Sequence, residues 1–245
     1  MKFSIVVPIK DEVDLIPITL PSYYRLQPDE VIVCVDKPAP PKVIETVKKV
    51  ARICKAEDKT RIIEVERNPE YRFHQAWVRR TGFRKARNDV ILTTDIDIVL
   101  DPKIVDFLYL IRGSVGLVSF SKFSPTFRGI VIWLVQKLYR HKSFTGLYAF
   151  SKNAWLETED EESLKRIPRG EDTHLYKHLT KKYDYLFIPD VKNLLLRPHE
   201  SRKYQYFMGV NRWFIGKATL WRIIISSIIY IRPYMLTGYL KARLK

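Results

Sequence analysis

The chain has 245 residues, 46% of them hydrophobic, which is enough to bury the core of one large domain or two small ones. Its formal net charge of +16 favours an anionic partner or surface. The two cysteines, Cys34 and Cys54, define no disulfide framework, and the apolar run at 3–7 is too short for a signal peptide. No apolar segment reaches the length of a transmembrane helix. We therefore expect a cytoplasmic protein.

The first hundred residues alternate short apolar runs with segments of helical periodicity. Strands are predicted at 3–7, 30–35, 61–66 and 90–94, and helices at 14–25, 42–55 and 73–87. Strands that are separated by helices require crossover connections, so they pair in parallel. This half of the chain predicts an α/β fold with a mostly parallel central sheet flanked by helices.

After Pro102 the pattern is less regular but contains both kinds of element. Helices are predicted at 104–111, 128–140 and 171–182, strands at 115–119, 146–150 and 185–188, and a helical tail from 204 onward. No linker rich in Gly, Ser and Pro divides the chain. We therefore expect one folded domain over residues 1–217, followed by an amphipathic basic extension over 218–245.

Two carboxylates follow the strand predicted at 90–94. Asp95 and Asp97 are two residues apart, so in an extended segment both side chains point to one side, beyond the carboxyl end of the strand. Two like charges held this close are costly unless a cation lies near them. Mg²⁺ or Mn²⁺, bound by carboxylates together with substrate phosphates, fits this arrangement. The alternative is that both acids simply end a strand in solvent.

Further short motifs flank this acid pair in a fixed order. Residues 4–12 read Ser-Ile-Val-Val-Pro-Ile-Lys-Asp-Glu, an apolar strand that ends at Pro8 and is followed by Glu12. Later in the chain stand Asp36 at the end of the second strand, Arg79 and Arg80 in the helix before the acid pair, Pro102 after it, the strand at 146–150, Glu171 and Asp172 after Gly170, and His199 in Arg197-Pro-His.

This order resembles that of inverting family 2 glycosyltransferases, which have the GT-A fold, over roughly residues 3–217. Lys10 replaces the usual Asn of the family, and we assign it no role. The resemblance implies three sets of site residues: Pro8, Glu12, Asp36, Arg79, Arg80 and Asp95 for the nucleotide sugar, Asp97, Asp95 and His199 for the metal ion, and Asp172 and Glu171 for catalysis.

The chemistry of sugar transfer can be assigned to these acids. A divalent ion held by Asp97 and Asp95 would stabilise the leaving nucleoside diphosphate. Asp172, with Glu171 beside it, would take the proton of the attacking hydroxyl, and direct attack with one base inverts the anomeric centre. We predict a metal-dependent inverting hexosyltransferase that uses a nucleotide-diphosphate sugar and a hydroxyl acceptor, either lipid-linked or a growing glycan.

Each site residue also has a purely structural interpretation. These alternatives are first-turn helix acids for Glu12, Glu171 and Asp172, a turn cap for Asp36, a solvated helix face for Arg79 and Arg80, and a satisfied structural histidine for His199. The sequence alone leaves these alternatives open.

The C-terminal region combines cations with aromatic residues. Residues 202–245 contain nine Lys or Arg and nine aromatic residues, with no acid after Glu200. Interleaved cationic and apolar residues on helices suit contact with anionic lipids, and the apolar helix at 128–140 would add a second contact. We expect a peripheral protein on the inner face of the cell membrane. The alternative is that these apolar residues cover the core.

Two other classes of protein share some of these features. A nucleotidyltransferase acting on sugar phosphates has the same α/β plan, but it usually carries a Gly-rich loop after the first strand, and residues 9–13 contain no Gly. A nucleic-acid-binding module is compatible with the net charge alone. No zinc spacing or basic heptad region accompanies that charge, so no nucleic-acid partner is expected.

Overall fold

The computed structural model describes residues 1–138, 146–167, 169–197, 205–206, 209–210, 219–229 and 233–244. The first half has the predicted alternation, with boundaries within a few residues of expectation. Its elements are β1 (Phe3–Ile9), α1 (Ile16–Arg25), β2 (Glu30–Asp36), α2 (Pro41–Ile53), β3 (Thr60–Val65), α3 (His74–Lys85) and β4 (Val90–Thr93).

The second half differs more from the prediction. Its elements are β5 (Ile98–Val99), a 3-10 turn (Pro102–Ile104), α4 (Val105–Leu108), β6 (Val115–Phe123), α5 (Phe127–Leu138), β7 (Tyr148–Ser151), α6 (Lys152–Thr158), α7 (Glu161–Arg166), α8 (Glu171–Leu179), β8 (Asp184–Leu195), α9 (Leu220–Ile229) and α10 (Pro233–Arg243). The helices α6 and α7 were not predicted from the sequence, and β8 extends well beyond the predicted strand at 185–188.

The eight described strands form one sheet in the order β3-β2-β1-β4-β7-β6-β8-β5. The strands β1 to β4 pair in parallel, whereas β7 is antiparallel to both β4 and β6. The α/β fold is therefore confirmed, and its parallel part is confined to the first half of the chain. Because β6 consequently runs in the same direction as β4, their carboxyl ends lie at the same edge of the sheet.

Both faces of the sheet are covered by helices. All seven residues of β1 are buried, as expected of a central parallel strand. Ile5 and Val7 belong to the core cluster that includes α1 and α2, whereas Val6 belongs to the cluster that includes α3. This alternation follows from the period of two along a strand. It leaves the carboxyl edge of the parallel strands as the open side of the sheet.

The chain forms two compact units. One comprises Met1–Lys122 and Arg140–Leu196, and the other comprises Phe123–Tyr139 and Arg197–Lys245. The second unit therefore includes α5 as well as the C-terminal helices, and the predicted boundary between 217 and 218 stays a prediction. Throughout the described ranges, no helix is both long enough and apolar enough to cross a bilayer.

Candidate active site

A cavity of about 450 Å³ opens at the carboxyl ends of β1 and β2. Its lining includes Pro8, Glu12 and Asp36, so three residues predicted to contact the nucleotide sugar lie together. The Glu12 carboxylate accepts hydrogen bonds from the backbone nitrogens of Lys10 at 2.9 Å and Asp11 at 3.2 Å. Glu12 thus also holds the loop that follows β1.

Two basic side chains missed by the sequence analysis flank Asp36 in this cavity. Lys10 Nζ lies 3.6 Å from Asp36 Oδ2, and His74 Nε2 lies 2.9 Å from Asp36 Oδ1. Lys10 follows the first strand directly, and this position was its only sequence signal. His74 is the first residue of α3 and was not distinguishable by pattern. The cavity therefore offers a carboxylate between two basic groups, which suits the polar edge of a nucleotide.

Arg79 lies outside this cavity and joins two of the predicted acids. Its side chain is only 3% exposed, and its guanidinium donates to the Asp95 carboxylate, to Thr93 Oγ1 at 2.9 Å and to Glu171 Oε1 at 3.1 Å. Burial disfavours the charged guanidinium, but Asp95 and Glu171 outweigh that effect and raise the pKa of Arg79. Arg79 thus fixes the orientation of Asp95 and its distance from α8.

Glu171 and Asp172 have different environments at the start of α8. Gly170 precedes the helix with φ of 87°, a left-handed conformation that favours glycine. Glu171 is 6% exposed, and burial raises its pKa to about 7 against the opposing effect of Arg79. Asp172 is half-buried, and its Oδ1 accepts a hydrogen bond from the backbone nitrogen of Thr173 at 2.7 Å. Asp172 is therefore the more accessible acid.

Asp95 and Asp172 converge on one point beside Gly146. A Cβ atom built on Gly146 would lie 3.6 Å from Asp172 Oδ2, 3.7 Å from Asp95 Oδ2 and 3.6 Å from Lys122 Nζ. Lys122 reaches this point because it lies near the carboxyl end of β6, which shares an edge with β4. Lys122 carried no signal in the sequence, since the pairing that brings it here joins strands distant along the chain.

The backbone of the acid pair is held by a turn. The buried Tyr23 hydroxyl donates to the carbonyl oxygens of Asp95 and Ile98, each at 3.1 Å. The backbone nitrogen of Leu196 donates to the Asp97 carbonyl oxygen at 2.8 Å. The side chains of Asp95 and Asp97 are both half-buried. Contacts from α1 and from the end of β8 thus fix the segment that carries both carboxylates.

Two further predicted residues do not line the described cavity. Arg80 is fully buried, donates to Glu159 Oε1 at 2.8 Å and lies over the rings of Phe83 and Trp155 at 5.3 and 5.7 Å. Direct contact with a nucleotide would need a rearrangement of this core, so that role stays a prediction. His199, a predicted metal ligand, lies outside the described residues.

The donor set is compatible with a hard divalent cation. Among the described residues, no group of three or more His, Cys, Asp and Glu forms a complete metal site. Mg²⁺ commonly binds through one or two carboxylates and completes its coordination with substrate phosphates and water. Asp95 directs Oδ2 away from its Arg79 partner, and Asp97 supplies a second carboxylate on the same turn. The residues therefore fit an ion held jointly with a substrate.

Comparison with protein families gives a match over the first part of the chain. Residues 4–113 match the family model described as Glycosyl transferase family 2. This segment contains every predicted residue up to Asp97, whereas Glu171 and Asp172 lie beyond it. A search of curated proteins found no match.

Solved structures resemble the chain over most of its length. A mannosyltransferase from Pyrobaculum calidifontis, in complex with GDP-Man and Mn²⁺, is 19% identical and has a TM-score of 0.66, covering 98% of this chain and 73% of its own. S. aureus TarS 1-349 in complex with UDP is 13% identical, with a TM-score of 0.57 and coverages of 98% and 71%. The 4-diphosphocytidyl-2C-methyl-D-erythritolsynthase from Anaerococcus prevotii is 13% identical, with a TM-score of 0.50 and coverages of 76% and 88%.

The chain has the fold of these GT-A structures. Its segment 4–113, which is 110 of the 245 residues, is similar to glycosyl transferase family 2, as the order of motifs predicted. At identities below 20%, the likeness to solved structures establishes the fold alone.

Proposed function

We propose that the protein transfers a hexose from a nucleotide-diphosphate sugar to a hydroxyl acceptor with inversion, in a reaction that depends on Mg²⁺ or Mn²⁺. The observation that carries this proposal is the convergence of Asp95 Oδ2 and Asp172 Oδ2 on the point beside Gly146. A carboxylate on the donor side and a carboxylate available as a base are the two groups that such a transfer requires.

The cavity beside Asp36 is the proposed site for the nucleotide. Asp36 would accept hydrogen bonds from the base, and the basic side chains of Lys10 and His74 would contact its polar groups or the ribose phosphates. Solved neighbours bound to GDP-Man and to UDP support a nucleotide-sugar donor. The base and the sugar of this chain's donor are left to experiment.

Asp97 and Asp95, with His199 as the further predicted ligand, would hold the divalent ion. When bound, the ion supplies Lewis-acid stabilisation of the charge that develops on the leaving diphosphate. The contribution of the chain is to fix Asp95, because Arg79 holds one carboxylate oxygen and leaves the other directed towards the point beside Gly146.

Asp172 is the proposed general base. Its Oδ2 would accept the proton of the acceptor hydroxyl as the hydroxyl oxygen attacks the anomeric carbon and the bond to the diphosphate breaks. One base and a direct displacement give inversion without a covalent sugar intermediate. Glu171, which is buried against Arg79, would position the start of α8 and would not receive this proton itself.

The donor and the metal can be tested in one binding experiment. Thermal-shift measurements with UDP, GDP, UDP-GlcNAc and GDP-mannose, with and without Mn²⁺, should show stabilisation by one nucleotide series that increases when the metal is added. We expect Asp97→Ala to lose the metal-dependent part. Asp172→Asn should retain donor binding and lose transfer by about two to four orders of magnitude.

Glu12→Gln serves as the control for Asp97→Ala, because Glu12 lines the nucleotide cavity, which does not include Asp97, and its carboxylate accepts hydrogen bonds from the loop backbone. In the presence of Mn²⁺, Glu12→Gln should bind the nucleotide sugar more tightly than Asp97→Ala does. An Asp172→Asn variant with normal turnover would show that the base is another group. The absence of any nucleotide effect in the wild-type protein would contradict the proposed function.

A nucleotidyltransferase remains the second candidate because one solved neighbour, the Anaerococcus prevotii synthase, shares the fold. In such an enzyme, a sugar phosphate would attack the α-phosphorus of a nucleoside triphosphate, and pyrophosphate would leave. The glycosyltransferase is favoured because the loop after β1 lacks a Gly-rich triphosphate grip and the matched family is a glycosyltransferase family. Pyrophosphate release without transfer of sugar from any nucleotide sugar would reverse this preference.

We also propose that the second unit binds an anionic membrane and that the acceptor is lipid-linked. The exposed apolar residues of α5 are spaced three or four positions apart, on one helical face: Phe127, Ile130, Leu134 and Leu138. Those of α9 have the same spacing: Trp221, Ile225 and Ile228. No acid occurs in residues 107–156 or after 200, so the apolar stripe accompanies an excess of cations suited to acidic lipids.

A further inference from the structure

Asp95 and Asp97 lie on a turn and not in the extended segment that the sequence pattern predicted. Strand β4 ends at Thr93, and Ile96 and Asp97 form a turn before β5 begins at Ile98. A backbone hydrogen bond from the Ile98 nitrogen to the Asp95 carbonyl oxygen, at 3.3 Å, closes this turn. The relative placement of the two carboxylates is therefore determined by the turn, because the alternation of a strand does not extend through it.

The hydroxyl of Tyr23, on α1, binds both ends of this turn. It donates to the carbonyl oxygens of Asp95 and Ile98, each at 3.1 Å, so one O–H group is shared between the first and the last residue of the turn. Tyr23 is fully buried, and the ring of a phenylalanine would fill the same place in the core. The contribution of the hydroxyl is therefore to hold these two carbonyl groups together.

Other contacts hold the same segment but do not join the two ends of the turn. The backbone nitrogen of Leu100 donates to Ser22 Oγ at 3.0 Å, and that of Leu196 donates to the Asp97 carbonyl oxygen at 2.8 Å. Each of these contacts fixes one point of the segment, whereas the Tyr23 hydroxyl links two. Removal of this hydroxyl should therefore loosen the turn and leave its surroundings in place.

We propose that Tyr23 is a positioning residue for the divalent ion, because its hydroxyl fixes the turn and thereby the separation of the Asp95 and Asp97 carboxylates. This inference rests on the proposed function. Mg²⁺ requires near-ideal octahedral geometry, so a looser turn should weaken its binding. Among the described residues, the lining of the nucleotide cavity includes neither Tyr23 nor the two acids. The metal should therefore be affected more than the nucleotide.

The first test measures the turn itself in the ligand-free protein. Tyr23→Phe should fold, because the ring is retained and the Asp95 carbonyl oxygen still accepts from the Ile98 nitrogen. Amide hydrogen exchange of residues 95–98 should be about fivefold faster or more than in the wild type, since a hydrogen bond that restrains the turn is lost. Exchange of β1 in the same sample is the internal reference and should change less.

The second test measures the metal. UDP and GDP are titrated by calorimetry at a series of Mn²⁺ concentrations. The Mn²⁺ concentration that gives half of the metal-dependent gain in affinity should rise by about fivefold or more in Tyr23→Phe. Without metal, the nucleotide affinity should stay within about twofold of that of the wild type, because the cavity is lined by other residues.

Tyr24→Phe is the matched control, because Tyr24 is the next residue of the same helix and its hydroxyl forms a hydrogen bond with Thr60 Oγ1 at 2.8 Å, on β3. It removes a tyrosine hydroxyl from α1 without touching the turn. Both the exchange of residues 95–98 and the Mn²⁺ requirement should match those of the wild type.

The outcomes separate this inference from the proposed function. If the wild type binds a nucleotide in a metal-dependent way and Tyr23→Phe has the same Mn²⁺ requirement, the positioning role is wrong and the proposed function stands. Equal losses of nucleotide affinity with and without metal, or the same change in Tyr24→Phe, would indicate general damage and also overturn that role. A higher Mn²⁺ requirement without faster exchange would overturn the role of the turn. A wild type that binds neither nucleotide at any Mn²⁺ concentration overturns both proposals.

Discussion

Arg79 connects carboxylates that are 76 positions apart in the printed sequence, Asp95 and Glu171. A buried guanidinium is tolerated only when its donors are satisfied, and here two carboxylates and the Thr93 hydroxyl satisfy them. The cost of this arrangement falls on Glu171, because burial disfavours its ionised form and raises its pKa to about 7. The sequence interpretation of Arg79 as a solvated surface residue is therefore wrong for this structure.

The raised pKa of Glu171 predicts a pH-dependent stability. Its ordinary pKa is 4.5, so between about pH 4.5 and pH 7 the folded protein holds a proton that the unfolded chain has lost. Stability due to this group should fall as the pH rises through that window. Glu171→Gln removes the titration, so its free energy of unfolding relative to wild type should increase across the window by on the order of 3 kcal/mol. Urea unfolding at pH 5, 6, 7 and 8 measures this difference.

Glu157→Gln on α6 is the control of opposite sign. A hydrogen bond from Lys182 lowers the pKa of the exposed Glu157, so its stabilising contribution is present at neutral pH and is lost on acidification. The free energy of unfolding of Glu157→Gln should not increase relative to that of the wild type as the pH rises. A Glu171→Gln curve that runs parallel to the wild-type curve from pH 5 to pH 8 would contradict the assignment.

At the scale of elements, the contact of α3 with the sheet positions Arg79. Gly82 lies directly on β1 and β2, because a Cβ there would come within 2.5 Å of Val6 Cγ1 and 2.6 Å of Cys34 Sγ. A substitution would lift the helix from the strands and move the guanidinium relative to Asp95. The close approach is thus a requirement of the site as well as of the core.

Gly82→Ala should therefore destabilise the protein. Alanine favours the helix by about 1 kcal/mol, but overpacking against two buried side chains costs about 1–3 kcal/mol or more, and at 2.5 Å we expect the overpacking to win. Urea unfolding should give a lower midpoint with an unchanged slope. Lys85→Ala, at an exposed position of the same helix, should change stability by less than about 0.5 kcal/mol. If Gly82→Ala were more stable than the wild type, the side chains of β1 and β2 would have to move to accommodate the added methyl group.

The elements differ in how far sequence alone predicts them. The alternation from β1 to β4 was recovered because each element has a strong local period and local boundaries. The antiparallel half was recovered only in part, because its pairing joins distant segments and α6 and α7 are short and largely polar. The same limit applies to the site. The roles of Asp95 and Asp172 could be predicted from motifs. The proximity of Lys122 and Gly146 to these acids depends on the pairing of β4, β7 and β6, which the sequence does not reveal.

At the scale of the whole molecule, the apolar stripe of the second unit predicts membrane binding. The protein should co-sediment with vesicles that contain acidic phospholipid and dissociate as salt is raised, because the attraction to head groups is screened. The double variant Phe127→Ser with Trp221→Ser removes side chains that are 78% and 68% exposed, so folding should be retained while vesicle binding weakens.

Ile53→Ser is the matched control, because Ile53 is 70% exposed but lies on α2, in the other unit. It should leave vesicle binding unchanged. Failure of the wild-type protein to bind acidic vesicles at low salt would remove the basis for a lipid-linked acceptor. The proposed glycosyltransferase function would be unaffected, since it does not depend on this surface.

The Arg79 bridge also limits how the two halves of the chain can be recombined. The segment that matches the family 2 glycosyltransferase model ends at residue 113 and contains Arg79, whereas Glu171 belongs to the remainder. A chimera that joined residues 4–113 to the second half of another protein would keep Arg79 paired with Asp95, but its Nε would have no acceptor unless the graft brought an acid to the position of Glu171. Leaving a buried donor unsatisfied costs about 1–3 kcal/mol, a sizeable part of the stability of an ordinary domain. Grafting of the second half is therefore restricted to proteins that carry an acid at this position.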